Sequence, residues 1–94
     1  MEIQHNNNEK NGSFKGFSNG YKVGEMTYTW AGTNKFIIDH TEVSTDFNGQ
    51  GVGKKMVLVA VDYARKNNLK ILPLCPFAKS VFSRESSLND VLFY

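Results

Sequence analysis

The chain has 94 residues and a formal charge of +2, which bounds it to one domain, residues 1–94, with a single small core. Apolar residues at 40% and aromatics at 13% supply that core without staples, and one cysteine excludes an internal disulfide and suits a reducing, cytoplasmic setting. The lysines are spread along the chain and form no basic stripe, so no nucleic-acid partner is expected. No apolar N-terminal run reads as a signal peptide, and Val57–Val61 is too short to cross a bilayer, so no membrane partner is expected and the chain is read as a monomer.

In chain order, Glu2–His5 reads as a short strand and Asn6–Gly12 as a polar turn. Ser13–Ser18 is extended, Asn19-Gly20 is a two-residue hairpin signal, and Tyr21–Trp30 is the return strand. Alternation places Met26, Tyr28 and Trp30 on one face of it. Ala31–Asn34 turns the chain into a strand from Lys35 to Val43, rich in aromatic and β-branched residues and therefore central. A helix from about Gln50 to Asn67 follows, with Val52, Met56, Val59, Ala60 and Tyr63 as its buried face. Leu69–Leu74 is a short strand, parallel to the one that ends at Val43 because a helix carries the crossover. Pro76 opens a second helix over about Phe77–Glu85, and Val91, Leu92 and Phe93 pack back as a last strand or turn. The order β-β-β-β-α-β-α is an α+β meander that runs into one βαβ unit. A ligand crevice is expected at the C-terminal ends of the two parallel strands.

The loop Asn48-Gly49-Gln50-Gly51-Val52-Gly53-Lys54-Lys55 stands at that crevice. Glycines let backbone approach a ligand, and a helix N-terminus aims unpaired N–H groups at it. Lys54 and Lys55 fall in the first helical turn, where a positive charge opposes the macrodipole. A bound phosphate or pyrophosphate would remove that conflict. The spacing fits neither a nucleotide-triphosphate loop nor a dinucleotide fingerprint. From Gly49 to Gly53 the first is one residue short, with Lys55 in place of the magnesium-binding hydroxyl, and Met56 stands where the second needs its third glycine.

The loop resembles motif A of the GNAT acetyltransferase superfamily, (Gln/Arg)-x-x-Gly-x-(Gly/Ala). Gly51 and Gly53 match the small positions, and Asn48 replaces the leading Gln or Arg. Ile38-Asp39-His40-Thr41-Glu42-Val43 before the loop and Leu72-Pro73-Leu74-Cys75-Pro76-Phe77 after it extend the likeness, over residues 20–92, to a compact single-domain GNAT-like subfamily. The resemblance implies a mainly antiparallel sheet of about five or six strands with one parallel pair and two helices. It implies acetyl-CoA as co-substrate, with the pyrophosphate held from Gly49 to Lys54 and the pantetheine aligned by the strand end at Glu42 and Val43. The acceptor-side helices of larger members are missing, since too few residues separate His5 from Ser13. The acceptor, a protein or small-molecule amine, would meet an open site.

Acetyl transfer needs a polarised thioester, a base for the ammonium and an acid for the leaving thiolate. Larger members often supply that acid as the Tyr of Asn-x-x-Ala-x-x-x-Tyr. Here Ala78 aligns and Phe82, without a hydroxyl, takes the tyrosine's place beside the cofactor. Two other groups are candidates. His40 and Glu42 lie two apart on one strand and share a face. Cys75 ends the adjacent strand just before a helix N-terminus, a setting of reactive thiols, and with a nearby His it would form a nucleophile and base pair. Each has a structural reading beside it: a small core residue for Cys75, a hydrogen-bonded strand residue for His40. No metal-ligand cluster is present, and His5 is given no role. The chain therefore reads as an acetyl-CoA-binding N-acetyltransferase. The alternatives are a non-catalytic acyl-CoA binder and an interaction module that uses the Met26, Tyr28 and Trp30 face.

Overall fold

The computed structural model describes residues 1–93. Five strands form one sheet in sequential order: β1 Glu2–Asn7, β2 Asn11–Ser18, β3 Tyr21–Trp30, β4 Lys35–Val43 and β5 Lys70–Pro73. The first four pair antiparallel, and β5 pairs parallel to β4 from Lys35↔Lys70 to Ile38↔Pro73. Helix α1 (Val52–Lys66) carries the crossover, and α2 (Pro76–Arg84) follows β5. Short 3-10 helices occupy Thr45–Phe47 and Ser86–Val91. No helix among the described residues is long and apolar enough to cross a membrane.

Local chemistry explains the turns. Asn19 and Gly20 both have positive φ, 51° and 83°, as a type I′ hairpin requires. The asparagine run is shorter as a turn than its composition predicts, since Asn6 and Asn7 continue β1. Asn8 turns the chain by itself, its side-chain oxygen accepting from the Lys10 and Asn11 amides at 2.8 and 3.0 Å. The tail is a 3-10 turn with a single bridge. Leu92 pairs with Ile71, and the Phe93 amide donates to the Ile71 carbonyl. Arg65 pins it through two bonds to the Asp90 carboxylate and one to the Ser87 carbonyl. This contact lifts the Arg65 pKa and lowers that of Asp90.

One face of the sheet carries the core. Phe14, Met26, Tyr28, Phe36 and Ile38 are fully buried, and Trp30 packs edge-on against Tyr28 and Phe36. The Met26, Tyr28 and Trp30 row thus lies within or against the core. Helix α1 buries Val52, Gly53, Met56, Val57, Ala60, Val61 and Ala64. Its buried stripe is rotated from the one its periodicity predicts, with Val59 and Tyr63 only partly covered. The helix start presses on the sheet at Gly24, where a Cβ would come within 3.0 Å of Val52 and 3.1 Å of Met56.

The edge strand β1 is tied to the core by His5. Its ring stacks on Phe14 at 4.1 Å, meets Tyr63 edge-on at 4.4 Å, and hydrogen-bonds the Tyr28 hydroxyl at 2.6 Å. Burial lowers the His5 pKa from its ordinary 6.5. A histidine whose pKa is depressed on folding favours the native state while neutral. The stability it contributes is complete above pH 6.5 and is lost as pH falls through the lower, folded value. Melting temperature should therefore drop as pH goes from 7 toward 5. His5→Gln, which keeps an acceptor near Tyr28, should flatten that limb, and an unchanged limb would show that other groups set it.

Candidate active site

The order of β4 faces decides the site. Tyr28 lies opposite Ile38 but Thr27 lies opposite His40, so Asp39 is an extra residue, a β-bulge in β4. The Asp39 carboxylate is held on the open face by the Thr29 hydroxyl at 2.6 Å. A one-residue insertion reverses which face every later side chain points to. Phe36 and Ile38 face the core, and after the bulge Thr41 and Val43 continue that face. His40 and Glu42 stand on the opposite, solvent side, 3.7 Å apart and mostly exposed. They do share a face, as their spacing predicts, but that face is not the one next to the glycine loop.

Beyond β4 the Ser44 amide donates to the Val23 carbonyl at 2.8 Å, and Thr45–Phe47 wind into a 3-10 turn before the glycines. The three glycines do two different jobs. Gly49 and Gly51 have φ of 80° and 77° with open space where a Cβ would go, so they serve conformation. Gly53 is helical, and its Cβ would lie 2.5 Å from the Phe77 ring, so it serves close packing of α1 on α2. Helix α1 starts at Val52 with Gly51 as its left-handed N-cap and no side-chain cap. The amides of Val52, Gly53 and Lys54 precede the first intrahelical bond, from Lys55 to the Gly51 carbonyl, and have no acceptor among the described residues.

Those amides border a cleft of about 500 Å³ between the β4 end, the loop, the start of α1 and α2. Of the residues expected to hold cofactor, Val43, Asn48, Gly49, Gly51, Val52, Gly53 and Lys54 line it. Gln50 and Lys55 are exposed and lie outside it, and the Glu42 side chain is turned away, which leaves Thr41 and Val43 as the β4 residues that line it. Phe82 is 3% exposed and borders a separate apolar groove beside β5 and the tail. The α2 wall is instead Phe77, Ser80, Val81 and Arg84. That stripe has helical spacing i, i+3, i+4, i+7, a signal present in the sequence. Thr41, Phe47 and Glu85 complete the lining residues that sequence reasoning missed.

Two further features set the chemistry. First, Lys54 Nζ lies 2.7 Å from Glu85 Oε1, so the charge that seemed unmet in the α1 first turn has an internal partner. Arg84 lines the same cleft and makes no ion pair among the described residues. Second, Cys75 is buried, at 5% exposure, as the N-cap of α2. Its sulfur accepts from the Ala78 amide at 3.4 Å and contacts Thr41 Oγ1 at 3.2 Å. The structure therefore gives Cys75 a threonine neighbour and leaves His40 on the far face of the sheet. Between β4 and β5 the pairing stops at Ile38↔Pro73, and the Leu74 and Cys75 amides both turn to the single Ile38 carbonyl. Among the described residues, 39–43 of β4 have no backbone ladder partner on that side, so the sheet is split there and Thr41 and Cys75 meet only through their side chains. No cluster of metal-ligating side chains occurs among the described residues.

A split parallel pair, a glycine loop and a helix start without a side-chain cap are brought together at one cleft of this α+β fold. The chain belongs to the GCN5-related N-acetyltransferase family, whose model matches residues 14–91. A GCN5-like protein of Staphylococcus aureus, solved by NMR, is 41% identical; the match covers 98% of this chain and 87% of that one, with a TM-score of 0.76. A ribosomal-protein-alanine N-acetyltransferase of Brucella melitensis shares the fold at 19% identity and a TM-score of 0.70, over 80% of this chain and 62% of its own. A protein of Bacillus anthracis solved with acetyl coenzyme A bound shares it at 19% identity and a TM-score of 0.61, over 71% of this chain and 39% of its own. No curated protein sequence matches significantly. The α+β fold with one parallel pair and no helices between β1 and β2 agrees with the family expectation.

Proposed function

We propose that the chain binds acetyl-CoA in this cleft and transfers the acetyl group to an amine. The observation that carries the reading is the helix start from Val52 to Lys54, whose amides have no acceptor among the described residues and whose residues line a cleft together with Arg84. Backbone N–H groups at a helix start bind phosphate oxygens in fixed geometry, and the two cations add charge-assisted bonds. Asn48, in the cleft, supplies a neutral donor where the family has Gln or Arg. From the loop, the pantetheine arm would run along Val43 and Thr41 toward the split between β4 and β5.

On this reading the amine would approach from the face of β4 that bears His40 and Glu42, opposite the cleft. In direct transfer the amine nitrogen bonds to the thioester carbonyl carbon. The His40–Glu42 pair takes the proton that nitrogen sheds, and the C–S bond breaks to release the CoA thiolate, which takes a proton from water. In the two-step route Cys75 gives its thiol proton to water as its sulfur bonds to the same carbon, and CoA leaves as a thiolate that takes a proton from water. The amine then bonds to that carbon, the bond to the Cys75 sulfur breaks, and the proton shed by the amine passes to that sulfur through water. Thr41 Oγ1 would first have to release the sulfur. A second reading, acyl-CoA binding without transfer, is favoured by the burial of Cys75 and by a phenylalanine at position 82, itself buried away from the cleft.

The test is an NMR titration with CoA and acetyl-CoA. Amide shifts at Gly49–Lys54, Thr41 and Arg84 are expected; absence of any shift at millimolar ligand would remove the cofactor reading. Intact mass after acetyl-CoA incubation separates the routes, since only the two-step route leaves an acetyl group on Cys75.

A further inference from the structure

Lys54 and Glu85 are each badly placed in their own helix and well placed for each other. Lys54 sits in the first turn of α1, where the macrodipole disfavours a cation, and Glu85 directly follows the last turn of α2, where it disfavours a carboxylate. The pair at 2.7 Å relieves both conflicts, and its side chains are partly exposed at the cleft mouth, 51% and 38%. Of the charged groups lining the cleft, two are cations and one a carboxylate. A phosphate at the α1 start therefore meets one cation already engaged, Lys54, and one that is not, Arg84.

We infer that Glu85 is a built-in competitor for the phosphates of the ligand, and that Arg84 and Lys54 form a two-cation clamp around them. Arg84 meets the phosphate first. Lys54 then exchanges the Glu85 carboxylate for a phosphate oxygen, and Glu85 turns to solvent. The exchange favours ligands that carry phosphate: a neutral pantetheine arm cannot draw Lys54 from Glu85, whereas a dianionic pyrophosphate can. Affinity is held below what the clamp would give alone, which keeps product CoA exchangeable. This rests on the acetyl-CoA reading for the identity of the ligand, but on the cleft geometry alone for anion binding.

The test is calorimetric titration of wild type, Glu85→Gln and Arg84→Gln with CoA, inorganic pyrophosphate and pantetheine, with melting curves to confirm folding. Glu85→Gln keeps the side-chain shape and should tighten CoA and pyrophosphate about two- to fivefold at low salt, the range set by exposed ion pairs. The gain should shrink as salt rises. Arg84→Gln should weaken both roughly tenfold. Pantetheine binding should not respond to either change. If Glu85→Gln binds pyrophosphate equally or more weakly, Glu85 is not a competitor and the inference is overturned. Should pyrophosphate behave as expected while CoA fails to bind wild type, the anion clamp stands and the cofactor reading falls. If neither ligand binds any variant, both fall.

Discussion

Gly12→Ala is expected to destabilise the fold by about 2–3 kcal/mol, the scale of overpacking a closed core. Gly12 sits in β2 directly opposite Tyr28 of β3, and the tyrosine ring lies across it. A Cβ there would stand 2.4 Å from both Tyr28 Cζ and Oη. The glycine is not needed for its backbone angles, which lie in the ordinary range. It is needed for space. Tyr28 is fully buried, with Phe14, Trp30 and Phe36 rings at 5.5, 5.6 and 4.5 Å, so it has little room to retreat. Any retreat also strains the 2.6 Å bond to His5 that fastens the edge strand. For a domain of this size the loss corresponds to a fall in melting temperature of roughly 10–20 °C. Tyr28→Phe should not rescue it, because the Cζ contact persists. Gly12→Ala combined with Tyr28→Val should lose less than the two single changes added. A melting temperature within a few degrees of wild type for Gly12→Ala would show that the ring moves freely.

The same tight sheet shows how far a sequence can be read. Asn19-Gly20 predicts its own turn, because only residues tolerant of positive φ fit there. The strand, glycine loop, helix and strand that build the cleft follow from local composition and the crossover rule. The face of His40 and Glu42 did not follow. Alternation from Phe36 and Ile38 carries both residues to the cleft side, and one unpaired residue, Asp39, carries them away. Nothing in Ile38-Asp39-His40 marks a bulge; it is set by how β3 and β4 pair across their whole length. The α2 wall was readable in principle, since Phe77, Ser80, Val81 and Arg84 recur at helical spacing. Phe82, at the position that resembles the family's tyrosine, belongs to the neighbouring, core-facing stripe. The Lys54–Glu85 pair spans 31 residues and two helices, so no local pattern contains it.

The largest effect on ligand binding is expected from Gly51→Ala, and it can be separated from loss of stability. Gly51 is the N-cap of α1 with φ 77° and ψ 17°. An alanine held in that left-handed geometry costs about 1–2 kcal/mol. Relief of the strain means rotating the peptide that feeds Val52, and this re-aims the amides that face the cleft. Loss of one or two charge-assisted bonds from those amides corresponds to a fall in CoA affinity of tenfold or more. Gly32 provides the control. It has φ 83°, the same open space around its missing Cβ, and a position in the turn between β3 and β4 rather than in the cleft wall. Gly32→Ala should lose a comparable amount of stability and bind CoA like wild type. The comparison therefore isolates the direction of the loop amides from the cost of folding them. Equal affinity in Gly51→Ala and wild type, measured by the same titration, would mean that phosphate is held by Lys54 and Arg84 alone. Equal weakening in both glycine variants would mean that general stability, not loop geometry, controls binding.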